Sequence, residues 1–141
     1  MIRLSIPSNN KTHMKTIITI CSLMITTICY SQTKIENVDA ATFKKMIDEK
    51  KSVLIDLRTN DELKNKGFIK GAIQIDFLAI NSETVISRLD KKKTYLIYCA
   101  GGGRSGDCAD LMKTQGFTHV VNLAKGFDDW KKKGFEIELN K

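Results

Sequence analysis

The chain has 141 residues, of which 42% are hydrophobic and 28% are charged, and its formal net charge is +7. This length predicts a single domain, and the composition excludes a disordered chain, a collagen-like chain and a polytopic membrane protein. Four cysteines are too few for a disulfide-stapled scaffold. The sequence contains no internal repeat of the solenoid type.

Residues 1–31 have the layout of an N-terminal extension followed by a secretory signal peptide. Lys15 supplies a basic start, Ile17–Ile28 is uncharged and mostly apolar, and small residues precede a cleavage point between Ser31 and Gln32. We therefore expect export to the periplasm or cell envelope of a bacterium, with no stable membrane association after cleavage. An uncleaved anchor is the alternative, although a spanning helix needs about 20 apolar residues.

Residues 32–141 form the predicted domain, and their net charge is modest. The first 31 residues carry three basic side chains and no acidic one, so the net charge of the remainder is +4. Its two lysine runs, at 91–93 and 131–133, have no interleaved aromatic residues. We interpret both runs as solvated faces, and nucleic-acid binding is not predicted.

Strand-like and helix-like segments alternate along this domain, which predicts an α/β fold. Helices are expected over 39–50, from near 81 or 82, from the end of a glycine-rich turn to about 116, and over 127–132; strands are expected over 53–55, 72–75, 95–98 and 120–121. The expected architecture is a parallel sheet covered by helices on both faces. In such sheets ligands bind beyond the carboxyl ends of the strands.

The strongest chemical signal is the turn between the third of these strands and the next helix. It reads Cys99-Ala100-Gly101-Gly102-Gly103-Arg104-Ser105. Consecutive glycines permit positive φ angles and a tight curl, so successive amide groups can form an anion nest. The helix N-terminus and Arg104 add positive charge, and these features favour the thiolate form of Cys99. The alternative is a flexible turn with a buried structural cysteine.

Four motifs in order give the chain a resemblance to a known family. They are Val53–Arg58 with Glu62 after it, Gly67–Ala72, Cys99–Ser105, and Gly126–Trp130 with Gly134. With these motifs the chain resembles the single-domain rhodaneses, a family of sulfurtransferases, from about Val38 to Ile137. The resemblance implies a rhodanese-like fold for residues 32–141, preceded by the signal peptide.

The resemblance also implies a two-step reaction at Cys99. The thiolate would take sulfur from an anionic donor such as thiosulfate, and cyanide or a thiol would accept it from the persulfide. Backbone amides of Ala100 to Ser105 would stabilise the bound anion, and Arg104 would neutralise the donor. No metal or organic cofactor is implied. Related phosphatases place five residues between cysteine and arginine, whereas this chain has four, so phosphatase activity is not expected.

Three further residues are candidates for supporting roles. Asp56 and Arg58 are expected to form an ion-pair network that fixes their loop, with Glu62 as a further member; direct contact with substrate is the alternative. Lys125 follows another strand, where it either contacts an anionic donor or is simply solvated.

Cys108 leaves two other functions open. Its helical spacing from Leu111 and Met112 places it on a core face. The alternative is a thiol-redox protein in which Cys108 forms a disulfide with Cys99. A carrier that holds a persulfide without turnover is the other alternative to the enzyme.

Overall fold

Short apolar segments form a five-stranded parallel sheet in the computed structural model, which describes residues 32–139. In chain order the elements are β1 (Lys34–Val38), α1 (Ala40–Asp48), β2 (Val53–Asp56), α2 (Asn60–Lys66), β3 (Ile73–Gln74), α3 (Ser82–Ser87), β4 (Thr94–Tyr98), α4 (Gly103–Thr114), β5 (His119–Leu123) and α5 (Gly126–Lys132). The strand order is β1-β5-β4-β2-β3, so the strand before Cys99 is central. The predicted extension and signal peptide lie outside the described residues.

Side-chain alternation along the strands builds two apolar cores, one on each face of the sheet. On the first face, Ile97 of β4 packs with residues of α3 and α4 that include Ile86 and Met112. On the second face, Leu96 packs with residues of α1 and α5 that include Phe43 and Trp130. The predicted α/β sheet with helices on both faces is thus confirmed.

Local capping fixes the start of two helices. Asp39 caps α1 as predicted, because its Oδ1 accepts a hydrogen bond from the amide of Thr42 at 2.8 Å. Thr59 and Glu62 form a reciprocal capping box at α2. That helix begins just after β2 ends, so its first turn lies at the carboxyl edge of the sheet.

The structure contains two elements that the sequence did not predict, β1 and α2. A third element, β3, is shorter than predicted. β1 was not expected, since this edge strand leaves charged side chains half exposed and lacks a continuous apolar run. α2 was missed because Leu63 is its only buried residue. β3 covers Ile73–Gln74 rather than 72–75. Every helix between residues 32 and 139 is too short or too polar to cross a bilayer.

Candidate active site

The loop after β4 is held by backbone hydrogen bonds from the N-terminus of α5. The amide of Phe127 donates to the carbonyl of Cys99 at 2.8 Å, and the amide of Asp128 donates to the carbonyl of Ala100 at 3.0 Å. These bonds satisfy amides that a helix start leaves unpaired. They also direct the two carbonyls toward α5.

Only one of the three consecutive glycines uses left-handed backbone. Gly102 has a φ of +100°, and a Cβ there would overlap the carbonyl oxygen of Ala124. Gly101 and Gly103 have no left-handed φ, and a Cβ on either would meet nothing within 4 Å. The positive φ angle and the tight curl that the glycines were expected to permit are thus present, and the turn needs glycine at the middle position alone.

The sulfur of Cys99 is buried, and hydrogen-bond donors of the loop surround it. Its side chain is 1% exposed. The amide of Gly102 donates to Sγ at 3.2 Å, and the Ser105 hydroxyl lies 3.5 Å from Sγ. That hydroxyl also lies 3.1 Å from the carbonyl of Gly102, and its single proton serves one acceptor at a time. The Gly102 amide is therefore the constant donor to this sulfur, and the Ser105 hydroxyl is an alternating one.

The first turn of α4, which follows Gly102 directly, supplies three further backbone donors. Gly103 begins this helix, so the amides of Gly103, Arg104 and Ser105 come before the first position with a partner inside the helix. Among the described residues, the first amide of this helix to find a backbone acceptor is that of Gly106, bonded to the carbonyl of Gly102 at 3.0 Å. The helix dipole reinforces this local positive potential.

Arg104 is paired with Glu62, which the sequence analysis had grouped with Asp56 and Arg58. Its two terminal nitrogens donate to the two oxygens of Glu62, at 2.8 and 2.7 Å. Hydrogen bonds from Arg104 lower the pKa of Glu62 to about 2, and the same bonds raise the pKa of Arg104. The expectation that Glu62 joins Asp56 and Arg58 is wrong. Glu62 thus holds the guanidinium beside the loop, and neutralisation of a donor by Arg104 stays a prediction.

Asp56 and Arg58 form a buried structural pair. The side chains are 1% and 0% exposed, and the shortest bond between them is 2.6 Å. Arg58 also donates to the carbonyl of Gly67 at 2.9 Å, and its guanidinium stacks on Phe127 at 3.8 Å. Burial lowers the pKa of Arg58, but hydrogen bonds and charge interactions with Asp56 and Tyr98 together outweigh burial and raise the pKa overall. This burial excludes direct contact of either residue with a substrate in this structure.

Lys125 is exposed, whereas Cys108 is buried. Lys125 is exposed and immediately precedes Gly126, whose Cβ position would overlap the carbonyl of Ala100. Lys125 is thus the sequence neighbour of a residue that contacts the Cys99 loop, and its side chain is in solvent. Cys108 is a free thiol, 1% exposed. Burial raises its pKa to about 12, with a smaller contribution from the charge on Cys99.

Two residues have roles at the site that the sequence did not assign to them. Glu62 holds Arg104 in place, and the T-x-x-E spacing of its capping box with Thr59 was the available signal. Gly126 has a φ of +61° and packs against the backbone of Cys99 and Ala100. Within residues 32–139, no group of three His, Cys, Asp or Glu side chains is arranged to hold a metal ion.

Comparisons with known proteins agree with this geometry. Residues 39–133 match the family model described as the rhodanese-like domain. A sulfurtransferase of Allochromatium vinosum is 30% identical over 94 residues, which cover 67% of this chain and 85% of that protein. The thiosulfate sulfurtransferase PspE of Escherichia coli is 31% identical over 75 residues, covering 53% of this chain and 70% of the relative.

Solved structures agree as well. The crystal structure of a rhodanese-like domain protein from Staphylococcus aureus superposes with a TM-score of 0.63 at 26% identity, covering 75% of this chain and 99% of that one. The family model spans the Cys99 loop and its α5 support. The chain therefore belongs to the family of rhodanese-like domains.

Proposed function

We propose that the chain is a sulfurtransferase that carries sulfur as a persulfide on Cys99. In the first step the thiolate attacks the outer sulfur of thiosulfate. A new S–S bond forms at Sγ, the S–S bond of the donor breaks, and sulfite leaves with the electron pair. In the second step cyanide or a thiolate attacks the outer persulfide sulfur. The acceptor keeps that sulfur, and the Cys99 thiolate returns.

One observation carries this proposal: the Cys99 sulfur lies among hydrogen-bond donors that the fold has already oriented. The Gly102 amide donates to Sγ at 3.2 Å, and the Ser105 hydroxyl lies 3.5 Å from the same atom. Preorganised donors stabilise charge that develops during reaction at little reorganisation cost. Anionic sulfur is present in the thiolate, in the donor and in the persulfide, so the same donors serve each state.

The redox alternative has weaker support from the described residues. Cys108 is buried in the core with Met112, and its raised pKa keeps it as a neutral thiol at physiological pH. A thiol in that state is a poor nucleophile toward an oxidised partner. The carrier alternative uses the same Cys99 chemistry, and only turnover separates it from the enzyme.

The experiment compares the wild-type chain with Cys99→Ser and Cys108→Ala. Each protein is incubated with thiosulfate, its intact mass is recorded, and cyanide is then added while thiocyanate is measured. Peptide mapping assigns any adduct, since residues 1–31 hold two further cysteines. We expect a one-sulfur adduct at Cys99 and repeated turnover in wild type and Cys108→Ala, and neither in Cys99→Ser.

Other outcomes of this experiment have distinct meanings. An adduct that cyanide discharges only once would favour the carrier over the enzyme. Absence of an adduct, or an equal adduct in Cys99→Ser, would refute Cys99 as the acceptor of thiosulfate sulfur. A mass loss of two hydrogens under mild oxidant, with no persulfide formed, would favour the redox alternative.

We further propose that this reaction takes place outside the cytoplasm, in the periplasm or cell envelope. The support is the sequence pattern of residues 1–31, with a basic start, an apolar run and small residues before Gln32. Expression of the full chain followed by cell fractionation and N-terminal sequencing tests this. A mature protein that starts at Gln32 in the exported fraction is expected, and an uncleaved membrane-bound chain would contradict it.

A further inference from the structure

Two large apolar side chains stand in solvent on the segment between β3 and α3. Leu78 is 66% exposed, and Ile80 is fully exposed. The residues before them anchor the segment: Phe77 packs against the first core, and a carboxylate oxygen of Asp76 accepts a hydrogen bond from the amide of Leu78 at 2.9 Å. Leu78 and Ile80 thus form an apolar rim on a backbone that is fixed in place.

Backbone hydrogen bonds put this rim at the same edge of the sheet as the Cys99 loop. Leu57 follows β2, and its amide donates to the carbonyl of Tyr98, the residue before Cys99, at 2.9 Å. The amide of Phe77 donates in turn to the carbonyl of Leu57 at 3.3 Å. Phe77 therefore lies two strand spacings, roughly 10 Å, from the chain that leads into the loop. A body the size of a protein that covers the rim extends over the loop as well.

The charged side chains around the rim are acidic, although the net charge of residues 32–141 is +4. Segments 76–87 and 103–110 hold four carboxylates: Asp76, Glu83, Asp107 and Asp110. None of the four forms a salt bridge with any residue between 32 and 139. Arg104, the one cation of these two segments, is paired with Glu62. Asp107 lies one helical turn from Arg104, on the side of α4 that reaches Glu62 after β2.

We propose that the acceptor of the sulfur is a protein that presents a cysteine thiol on an apolar and basic surface, and that this surface docks on the rim. The inference rests on the proposed function, since it names the acceptor of the second step. The partner's thiolate attacks the outer sulfur of the Cys99 persulfide. A new S–S bond forms on the partner, the S–S bond to Sγ breaks, and the Cys99 thiolate leaves with the electron pair. Leu78 and Ile80 become buried against apolar groups, and the carboxylates attract basic ones.

The charge and shape of this surface decide between candidate occupants. Two copies of the chain would bring like carboxylates together, and an anionic lipid surface would be repelled for the same reason. A small thiol would leave Ile80 in solvent, because a fully exposed side chain offers no enclosing pocket. A basic protein surface is the occupant that suits both the apolar side chains and the carboxylates.

Synthetic peptides are the probe for this partner. The wild-type chain is loaded with thiosulfate, freed of donor and mixed with the capped pentapeptide Lys-Leu-Cys-Leu-Lys, Lys-Ser-Cys-Ser-Lys or Glu-Leu-Cys-Leu-Glu. Mass spectrometry of the Cys99 peptide follows the loss of the persulfide. Each rate is divided by the thiolate fraction of the pentapeptide, because flanking charges shift the pKa of its cysteine. We expect the first pentapeptide to remove sulfur at least about tenfold faster than either of the others.

Leu78→Ser and Leu139→Ser form a matched pair, because the two leucines are 66% and 68% exposed. Leu139 lies beside Gly67, outside the rim. Leu78→Ser and Ile80→Ser should each slow removal of sulfur by the first pentapeptide about tenfold, and Leu139→Ser should keep the wild-type rate. Cyanide needs no docking surface, so it should discharge all four proteins equally. Urea unfolding should also be unchanged, since each side chain is exposed.

Several results would contradict the docking surface. They are equal rates for the three pentapeptides, equal rates for the rim and control variants, and a dimer in sedimentation experiments that Ile80→Ser dissociates. Cyanide separates this inference from the proposed function. A persulfide that cyanide discharges with turnover, but whose transfer to the pentapeptides ignores their sequence, refutes the docking surface and leaves the function intact. Failure of thiosulfate to load Cys99 refutes the function itself.

Discussion

The support of the Cys99 loop by Gly126 leads to a sharp prediction for the substitution Gly126→Ala. Gly126 has a φ of +61°, and an added Cβ would overlap the carbonyl of Ala100 and lie 2.6 Å from the carbonyl of Cys99. Both neighbours are backbone atoms, so relief requires movement of the loop itself. The same movement breaks the two hydrogen bonds that α5 donates to these carbonyls.

The magnitude follows from these contacts. Left-handed backbone in a residue with a Cβ costs roughly 1–2 kcal/mol, and each lost hydrogen bond costs roughly 0.5–1.5 kcal/mol. Gly126→Ala should therefore lower the free energy of unfolding by about 2–5 kcal/mol. Displacement of Cys99 relative to its donors should also lower the rate of thiocyanate formation by on the order of tenfold to a hundredfold.

Gly134→Ala is the matched control. Gly134 has a similar φ of +73°, and a Cβ there would meet nothing within 4 Å. Gly134→Ala introduces the same backbone strain without the collision. Its free energy of unfolding should therefore fall by about 1–2 kcal/mol, and its turnover should stay unchanged. Urea unfolding followed by Trp130 fluorescence, together with thiocyanate formation, measures both quantities. Equal effects of the two substitutions on stability and turnover would refute the argument that α5 holds the loop in place.

Three other predictions concern single side chains. Hydrogen bonds from Arg104 lower the pKa of Glu62 from 4.5 to about 2, so the contribution of Glu62 to stability is present above pH 4.5 and is lost as the pH falls toward 2. Glu62→Gln should remove this part of the acid dependence of Tm. Parallel curves of Tm against pH for the two proteins would contradict the prediction. Tyr98→Phe should cost about 1–3 kcal/mol in urea unfolding, because the buried amide of Ile69 loses its acceptor at 3.1 Å; no loss would mean that another acceptor replaces the hydroxyl. Cys108, with its pKa raised to about 12 by burial, should resist iodoacetamide at pH 8 in the folded chain and react after unfolding; rapid labelling of the native protein would show that the site opens.

The features that were predictable from sequence are those with a local cause. Asp39 caps α1 through a carboxylate three residues from the amide it binds, and the Cys99 loop was visible because glycine, cysteine and arginine stand together between a strand and a helix. The pairing of Arg104 with Glu62 joins residues 42 positions apart. Only the alignment of β2 beside β4 brings them together, and no local pattern encodes that alignment.

Surface elements were harder for a related reason. β1 pairs with β5 at the edge of the sheet, so its stability comes from the neighbouring strand rather than from its own apolar content. α2 buries one leucine and depends on its cap. Hydrophobic periodicity in a sequence arises from a buried face. Elements that bury few side chains therefore show a weak periodic pattern.

The glycine triplet has a consequence for how this site could diversify. Gly102 is fixed by its backbone, whereas Gly101 and Gly103 occupy ordinary conformations beside open space. Side chains could be added at these two positions without disturbing the amide that binds the sulfur. Position 102 thus holds the amide that binds the sulfur, and positions 101 and 103 are the ones where side chains could alter selectivity. A descendant of this chain could change what enters the site, at positions 101 and 103, while the residue that serves the sulfur stays the same.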